Sequence, residues 1–180
     1  MIFGDPCRFA IWVEIVPEWS GDFKNGLFYF VINGNMYPGD IRVATLSSDL
    51  YEIIDDACAL VSHPRNDSIF TLPAKDAFDR LYELAYPEPS GDNEYPDQVF
   101  DYCIATTNVS SFGGCFFAVA DQDYLRIIGG GIEHLVKSPS EDVMCWESVN
   151  SPKIEDVTLL REEIDKIISD VKAYAYSVLM

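Results

Sequence analysis

Histidine is nearly absent from this 180-residue chain, which has only His63 and His134. Neither has a Cys or His at ligand spacing, which argues against a zinc site. The five cysteines, Cys7, Cys58, Cys103, Cys115 and Cys145, are odd in number, widely spaced and without a C-x-x-C pair. That excludes a disulfide frame and fits buried thiols in a reducing cytosol. A Cys–His nucleophilic pair forms only in the fold, so the sequence leaves it open. No serine lies in a G-x-S-x-G frame. No apolar run approaches the ~20 residues of a membrane-spanning helix. The start, Met1-Ile2-Phe3-Gly4-Asp5-Pro6, lacks the basic and apolar segments of a secretion signal. The expectation is a cytoplasmic protein with no cofactor and no metal.

Basic residues are also scarce. Thirty acids stand against twelve bases, leaving a net charge of −18. A field of that sign repels nucleic acid and anionic membranes and favours a basic partner. Residues 81–125 contain no Lys or Arg at all. Within them lie Glu83, Glu88, Asp92, Glu94, Asp97, Asp101, Asp121 and Asp123, interleaved with Tyr82, Tyr86, Tyr95 and Tyr102. Tyrosine is favoured at interfaces, and carboxylates pair with a partner's Lys and Arg. The stretch 87–97 holds Pro87, Pro89, Pro96 and Gly91 and reads as a long loop, which in a compact domain is functional or disordered. The candidate partner-binding residues are therefore Glu88, Asp92, Glu94, Tyr95, Asp97 and Asp101 on that loop, with Asp121 and Asp123 at a hairpin tip. A plain solvated acidic face is the competing reading.

The apolar content is that of a folded protein, at 48% hydrophobic and 13% aromatic. The length fits one domain over residues 1–180. Residues 7–15 alternate, with Cys7, Phe9, Ile11, Val13 and Ile15 on one face, as in a half-buried strand. Residues 27–32 are apolar on both faces, Asn33-Gly34 is a tight hairpin turn, and Met36-Tyr37 return as a short strand. Residues 47–62 and 74–86 carry helical apolar stripes, with a short extended link at 68–72. Strands are expected at 100–106, 115–120, 124–128, 132–136 and 143–149. Gly129-Gly130-Gly131 lacks the Lys-Ser or Lys-Thr of a phosphate loop and is expected to break or bulge its strand. A helix over 158–178 closes the chain. The fold class is α+β: a mainly antiparallel sheet with two central helices and a C-terminal amphipathic helix packed on it.

The first third of the chain also carries a family resemblance. Met1-Ile2-Phe3-Gly4-Asp5-Pro6, Phe9-Ala10-Ile11 with the Glu-containing strand that follows, Trp19, and the run from Tyr29 to Ile32-Asn33-Gly34 resemble the start of the immunity protein 42 family. These are small cytoplasmic partners of polymorphic or contact-dependent toxins. The family has no chemical signature motif, so the resemblance transfers no functional residue. It implies a protein that binds and silences one cognate toxin.

That implication and the catalytically poor, acidic sequence point to an immunity protein rather than an enzyme. Its partner would be the C-terminal domain of a toxin, basic and nuclease-like because such a domain must hold nucleic acid. Two alternatives remain. One is a small enzyme, with or without a metal, working through paired carboxylates such as Asp55-Asp56, Asp121/Asp123, Glu141-Asp142 or Glu162-Glu163, although no twelve-residue calcium loop is present. The other is a non-catalytic adaptor domain.

Overall fold

Alternation at the N-terminus builds the first sheet. β1 (Ile2–Asp5), β2 (Phe9–Ile15) and β3 (Asn25–Ile32) run antiparallel in that order. Phe9, Ile11 and Val13 pair across β2–β3 with Ile32, Phe30 and Phe28, and all six are fully buried. Asn33 and Gly34 both take positive φ (50° and 79°), as a primed two-residue hairpin requires. β4 (Asn35–Tyr37) returns along β3, and β5 (Ala44–Thr45) pairs with its other end. The second face of β3 is covered too: Tyr29 and Val31 are buried, and Trp12 stacks on Tyr29 with centroids 5.5 Å apart. Cys7, expected on the buried face, lies in the turn before β2 and is exposed.

The computed structural model describes residues 1–91, 93–138 and 143–179. After β5 come α1 (Leu46–Ile54), α2 (Ala59–Ser62), α3 (Asp67–Phe70), α4 (Ala74–Ala85) and α5 (Thr107–Ser111). β6 (Gly114–Asp121), β7 (Tyr124–Gly131) and β10 (Glu155–Leu160) form a second antiparallel sheet, in the order β10-β7-β6. β8 (Glu133–Lys137) and β9 (Met144–Ser148) form a separate two-stranded ladder, and α6 (Arg161–Leu179) ends the described chain. Antiparallel sheets with helices packed on them make the fold α+β.

A single core joins the two sheets. Phe116, Ala118 and Ala120 of β6, Leu125 and Ile127 of β7, and Val157 and Leu159 of β10 meet the inner residues of β2 and β3 and the apolar faces of α1 and α6. The rings of Phe30 and Phe116 cross edge-on at 5.7 Å. The opposite face of the second sheet, with Phe117, Val119 and Ile128, packs against Ala77, Phe78, Leu81 and Ala85 of α4. β6 is thus buried on both faces, which explains its unbroken apolar run.

Several local expectations give way. The helix expected over 47–62 breaks after Ile54, because the Asp55 carboxylate accepts the Ala57 N–H at 2.8 Å and turns the chain. Residues 67–70 are helical rather than extended, since the Asn66 side chain accepts the Ile69 N–H as an N-cap. Residues 100–106 form no strand. A turn and one bridge, Cys103 to Phe117, lead into α5, whose first N–H groups are taken by Glu52 and Asp49 of α1. The glycine run neither breaks nor bulges β7. The register continues through Gly131, and a Cβ on Gly129 would stand 2.2 Å from the Cys115 carbonyl oxygen. The closing helix starts at Arg161, not 158, because Val157 and Leu159 alternate inward as β10. Glu163 accepts the Leu160 N–H at 2.9 Å and caps the helix start.

Three ionic side chains fasten the layers. Arg8, in the turn before β2, forks onto Glu163 of α6 at 2.7 and 3.2 Å. Arg126 of β7 forks onto Asp156 of β10 and donates to the carbonyls of Phe70 and Leu72, holding the entry to α4 on the sheet. Glu155 of β10, 3% exposed, accepts from Asn33, Asn35 and Tyr37 at 3.0 Å each and from Lys153 at 2.7 Å. It ties the β3–β4 hairpin to the second sheet.

Burial alone would push the Glu155 carboxyl up, but hydrogen bonds from Lys153, Asn33 and Tyr37 outweigh it and hold the group below its ordinary value. A depressed folded value contributes stability above the unfolded pKa of about 4.3, and that stability is lost as pH falls through the folded value. Glu155→Gln should cost about 1–3 kcal/mol at pH 7. Urea denaturation between pH 7 and pH 3 should also show a shallower acid loss in the variant than in the wild type. Identical slopes would remove Glu155 from the acid transition.

Candidate partner-binding surface

The amphipathic pattern of α4 generates the surface. With Ala77, Phe78, Leu81 and Ala85 committed to the sheet, the i, i+4, i+8 series Phe78, Tyr82, Tyr86 climbs the flank of the helix. The rings form a ladder, Phe78 to Tyr82 at 5.9 Å and Tyr82 to Tyr86 at 5.1 Å, and Phe100 joins it from the loop at 5.8 Å from Tyr86. Tyr82, Tyr86 and Phe100 are 37%, 44% and 47% exposed, so a contiguous strip of aromatic surface faces solvent.

The loop after α4 is pinned at its far end. The Val99 N–H donates to the Leu84 carbonyl at 2.8 Å, next to the Phe100 contact. Between, Ser90 and Asn93 exchange backbone hydrogen bonds in a tight turn. Glu88, Glu94, Asp97 and Asp101 are exposed, and none forms an ion pair among the described residues. Tyr95, at 84%, is the most exposed large hydrophobic side chain described. Asp92 lies outside the described residues, as do Glu141 and Asp142.

The hairpin tip is built differently. Asp121 accepts the Gln122 N–H at 2.7 Å and stands 3.9 Å from Arg65, which is itself forked onto Asp67. Arg161 donates its N–H to the Asp123 carbonyl and its guanidinium to the Gln122 carbonyl. Two arginines distant in sequence therefore border Asp121 and Asp123, although residues 81–125 contain none. No hydrogen bond, ion pair or ring contact joins this tip to the 87–101 loop among the described residues. Of the loop acids, Glu88 acts on Tyr82 and Asp101 lies beside Phe100, whereas the tip borders Arg65 and Arg161.

The nucleophile candidates have structural surroundings. His63 is buried at a positive φ of 49°, accepts from Arg161 Nε at Nδ1 (3.0 Å), and faces the Leu60 carbonyl with Nε2 at 2.9 Å. Burial lowers its pKa, Asp165 at 3.6 Å opposes this, and Arg161 adds to the lowering. Burial pushes the thiols of Cys58 and Cys103 up to about 11 and raises that of Cys115 as well, which keeps all three protonated at neutral pH. Among the described residues no group of three His, Cys, Asp or Glu is placed to hold a metal ion. No helix among them is long and apolar enough to cross a membrane.

A family model described as immunity protein 42 matches residues 1–174. The crystal structure of CdiI from Burkholderia dolosa AUO158 is similar in fold, with a TM-score of 0.74 and 24% identity, covering 97% of this chain and 99% of that one. No curated protein matches the chain.

Because Glu88, Glu94 and Asp97 form no ion pair among the described residues, reversing them should leave the fold intact. The triple variant Glu88→Lys, Glu94→Lys, Asp97→Lys should keep its urea midpoint, with each site changing stability by no more than about 0.5 kcal/mol. A loss of several kcal/mol would show that the acids serve the fold.

Proposed function

The chain belongs to the immunity protein 42 family, and from that membership we propose that it binds a cognate bacterial toxin domain and neutralises it by covering the toxin's active site. The observation that carries this reading is the surface of α4 and the 87–101 loop. It carries exposed aromatic rings together with carboxylates that form no ion pair among the described residues, with no base over residues 81–125. Aromatic anchors with a charged rim are the composition of a protein interface.

The proposed toxin is a basic nuclease. Such an enzyme must present Lys and Arg to hold phosphates, and those same groups meet the carboxylates here. The immunity protein then stands where nucleic acid would lie and catalyses nothing. Prolines 87, 89 and 96 limit the ordering entropy the loop loses on docking. The net charge of −18 steers encounter.

Co-expression with the C-terminal domain encoded beside this gene should restore growth, and the charge-reversed loop variant should not. Association of the purified pair should slow by about tenfold or more between 0.05 and 0.5 M salt, because screening shortens the reach of the field. An on-rate flat across that range would defeat the steering argument. Unchanged affinity in the folded triple variant would move the interface to another surface, such as the sheet edge near Tyr37 or the exposed face of α6.

A further inference from the structure

Beside the aromatic ladder lies a cleft of about 220 Å³, lined by Tyr82, Tyr86, Gly113, Cys115, Ile132 and Glu133. It is smaller than the roughly 300–1,000 Å³ of a site for a drug-sized ligand and suits one side chain. Its wall is the pair of tyrosine rings, tilted 46° to each other and partly open to solvent. Its rim is Glu133, exposed and without an ion pair among the described residues. Backbone holds Glu133 there. Gly113, at φ +77°, lets the turn before β6 press against it so closely that an added Cβ would lie 2.3 Å from the Glu133 carbonyl oxygen.

The cleft is electronegative. Burial raises the pKa of the Tyr82 hydroxyl, and the negative charges of Glu133 and Glu88 raise it further. The nearby bases are engaged elsewhere. Arg80 pairs with Glu83 at 2.6 Å, and Arg42 lies over the Phe112 ring at 4.8 Å and beside Asp40 at 3.4 Å, lining the neighbouring cleft instead. Two aromatic rings and a carboxylate with no ion pair among the described residues, around a side-chain-sized space, complement a planar cation. A guanidinium stacks on aromatic faces and forks onto a carboxylate, whereas an ammonium is a more strongly hydrated point charge.

We propose that this cleft receives an arginine side chain of the partner, with its guanidinium on the Tyr82 and Tyr86 rings and against the Glu133 carboxylate. The identity of that partner rests on the toxin-binding reading, but the chemistry of the cleft can be tested without a toxin. N-acetyl-arginine amide titrated into the full chain should give saturable NMR shifts of the Tyr82 and Tyr86 rings. Its binding should be at least about fivefold stronger than that of N-acetyl-citrulline amide, the neutral analogue, or of N-acetyl-lysine amide. Glu133→Gln and Tyr86→Leu should each weaken arginine amide by about fivefold, and Tyr86→Phe should not. If Tyr86→Leu fails to fold, Glu133→Gln decides.

Equal binding of the citrulline analogue, or no change in Glu133→Gln, overturns the proposal. Lysine amide binding as tightly as arginine amide overturns the assignment to a guanidinium. A toxin domain that binds the wild type and Glu133→Gln equally removes the cleft from the interface but leaves the toxin-binding reading intact. Arginine selectivity that persists where no neighbouring toxin domain binds supports the cleft and defeats that reading.

Discussion

Two sheets that share no hydrogen-bonded ladder are held together by one apolar core, and the remaining structure depends on that contact. Phe30 of the first sheet and Phe116 of the second meet edge-on within it, and α1 and α6 close its sides. Area burial of this kind is strong but non-directional, so it does not fix how one sheet is placed on the other. Polar groups at the margin do. Glu155 takes four donors from the β3–β4 hairpin and Lys153, and Arg8 locks the β1–β2 turn to α6. The burial of Glu155 makes any other placement costly, because a shift would leave its carboxylate unpartnered.

That arrangement determines what is left for a partner. The inner face of the second sheet is spent on the core, so α4 must pack on the outer face, and its flank becomes surface. The aromatic ladder is the consequence: Phe78 is anchored, Tyr82 and Tyr86 stand progressively further out, and Phe100 is carried to them by the returning loop. Glu88, Glu94, Asp97 and Asp101 form no ion pair among the described residues, whereas the acids of the hairpin tip lie beside Arg65 and Arg161. The two acidic segments look alike in sequence but differ electrostatically. A tip bordered by two arginines attracts a basic partner less than a loop with no neighbouring base does.

Much of the fold was legible where local pattern and burial coincide. The period-two run of β2, the Asn33-Gly34 turn, the stripe of α4 and the β6–β7 hairpin all follow from side-chain alternation and turn chemistry. Misreadings fell where a polar side chain overrode a pattern. Asp55 cut a helix that its apolar spacing favoured, and Asn66 capped one where extended chain was expected. The helix expected from 158 takes in Thr158, Leu159 and Leu160, and only their pairing with β7 makes them a strand. The glycines of β7 signalled a break, yet they serve the close approach of neighbouring backbones, which no one-dimensional pattern contains.

For the candidate surface, the sequence by itself determined the chemistry: the excess of carboxylates, the absence of bases over residues 81–125, the spacing of Tyr82 and Tyr86, and the proline-stiffened loop. Composition and spacing along one element are local quantities, and the chain states them directly. Only the tertiary structure decided which groups meet. It brought Phe100 to Tyr86 and Glu133 to the Tyr82 cleft, and it set Arg65 and Arg161 beside the hairpin tip. The physical reason is that electrostatic and stacking interactions act over a few ångströms of space. Separation along the chain has no bearing on them once the core has set the layers in place.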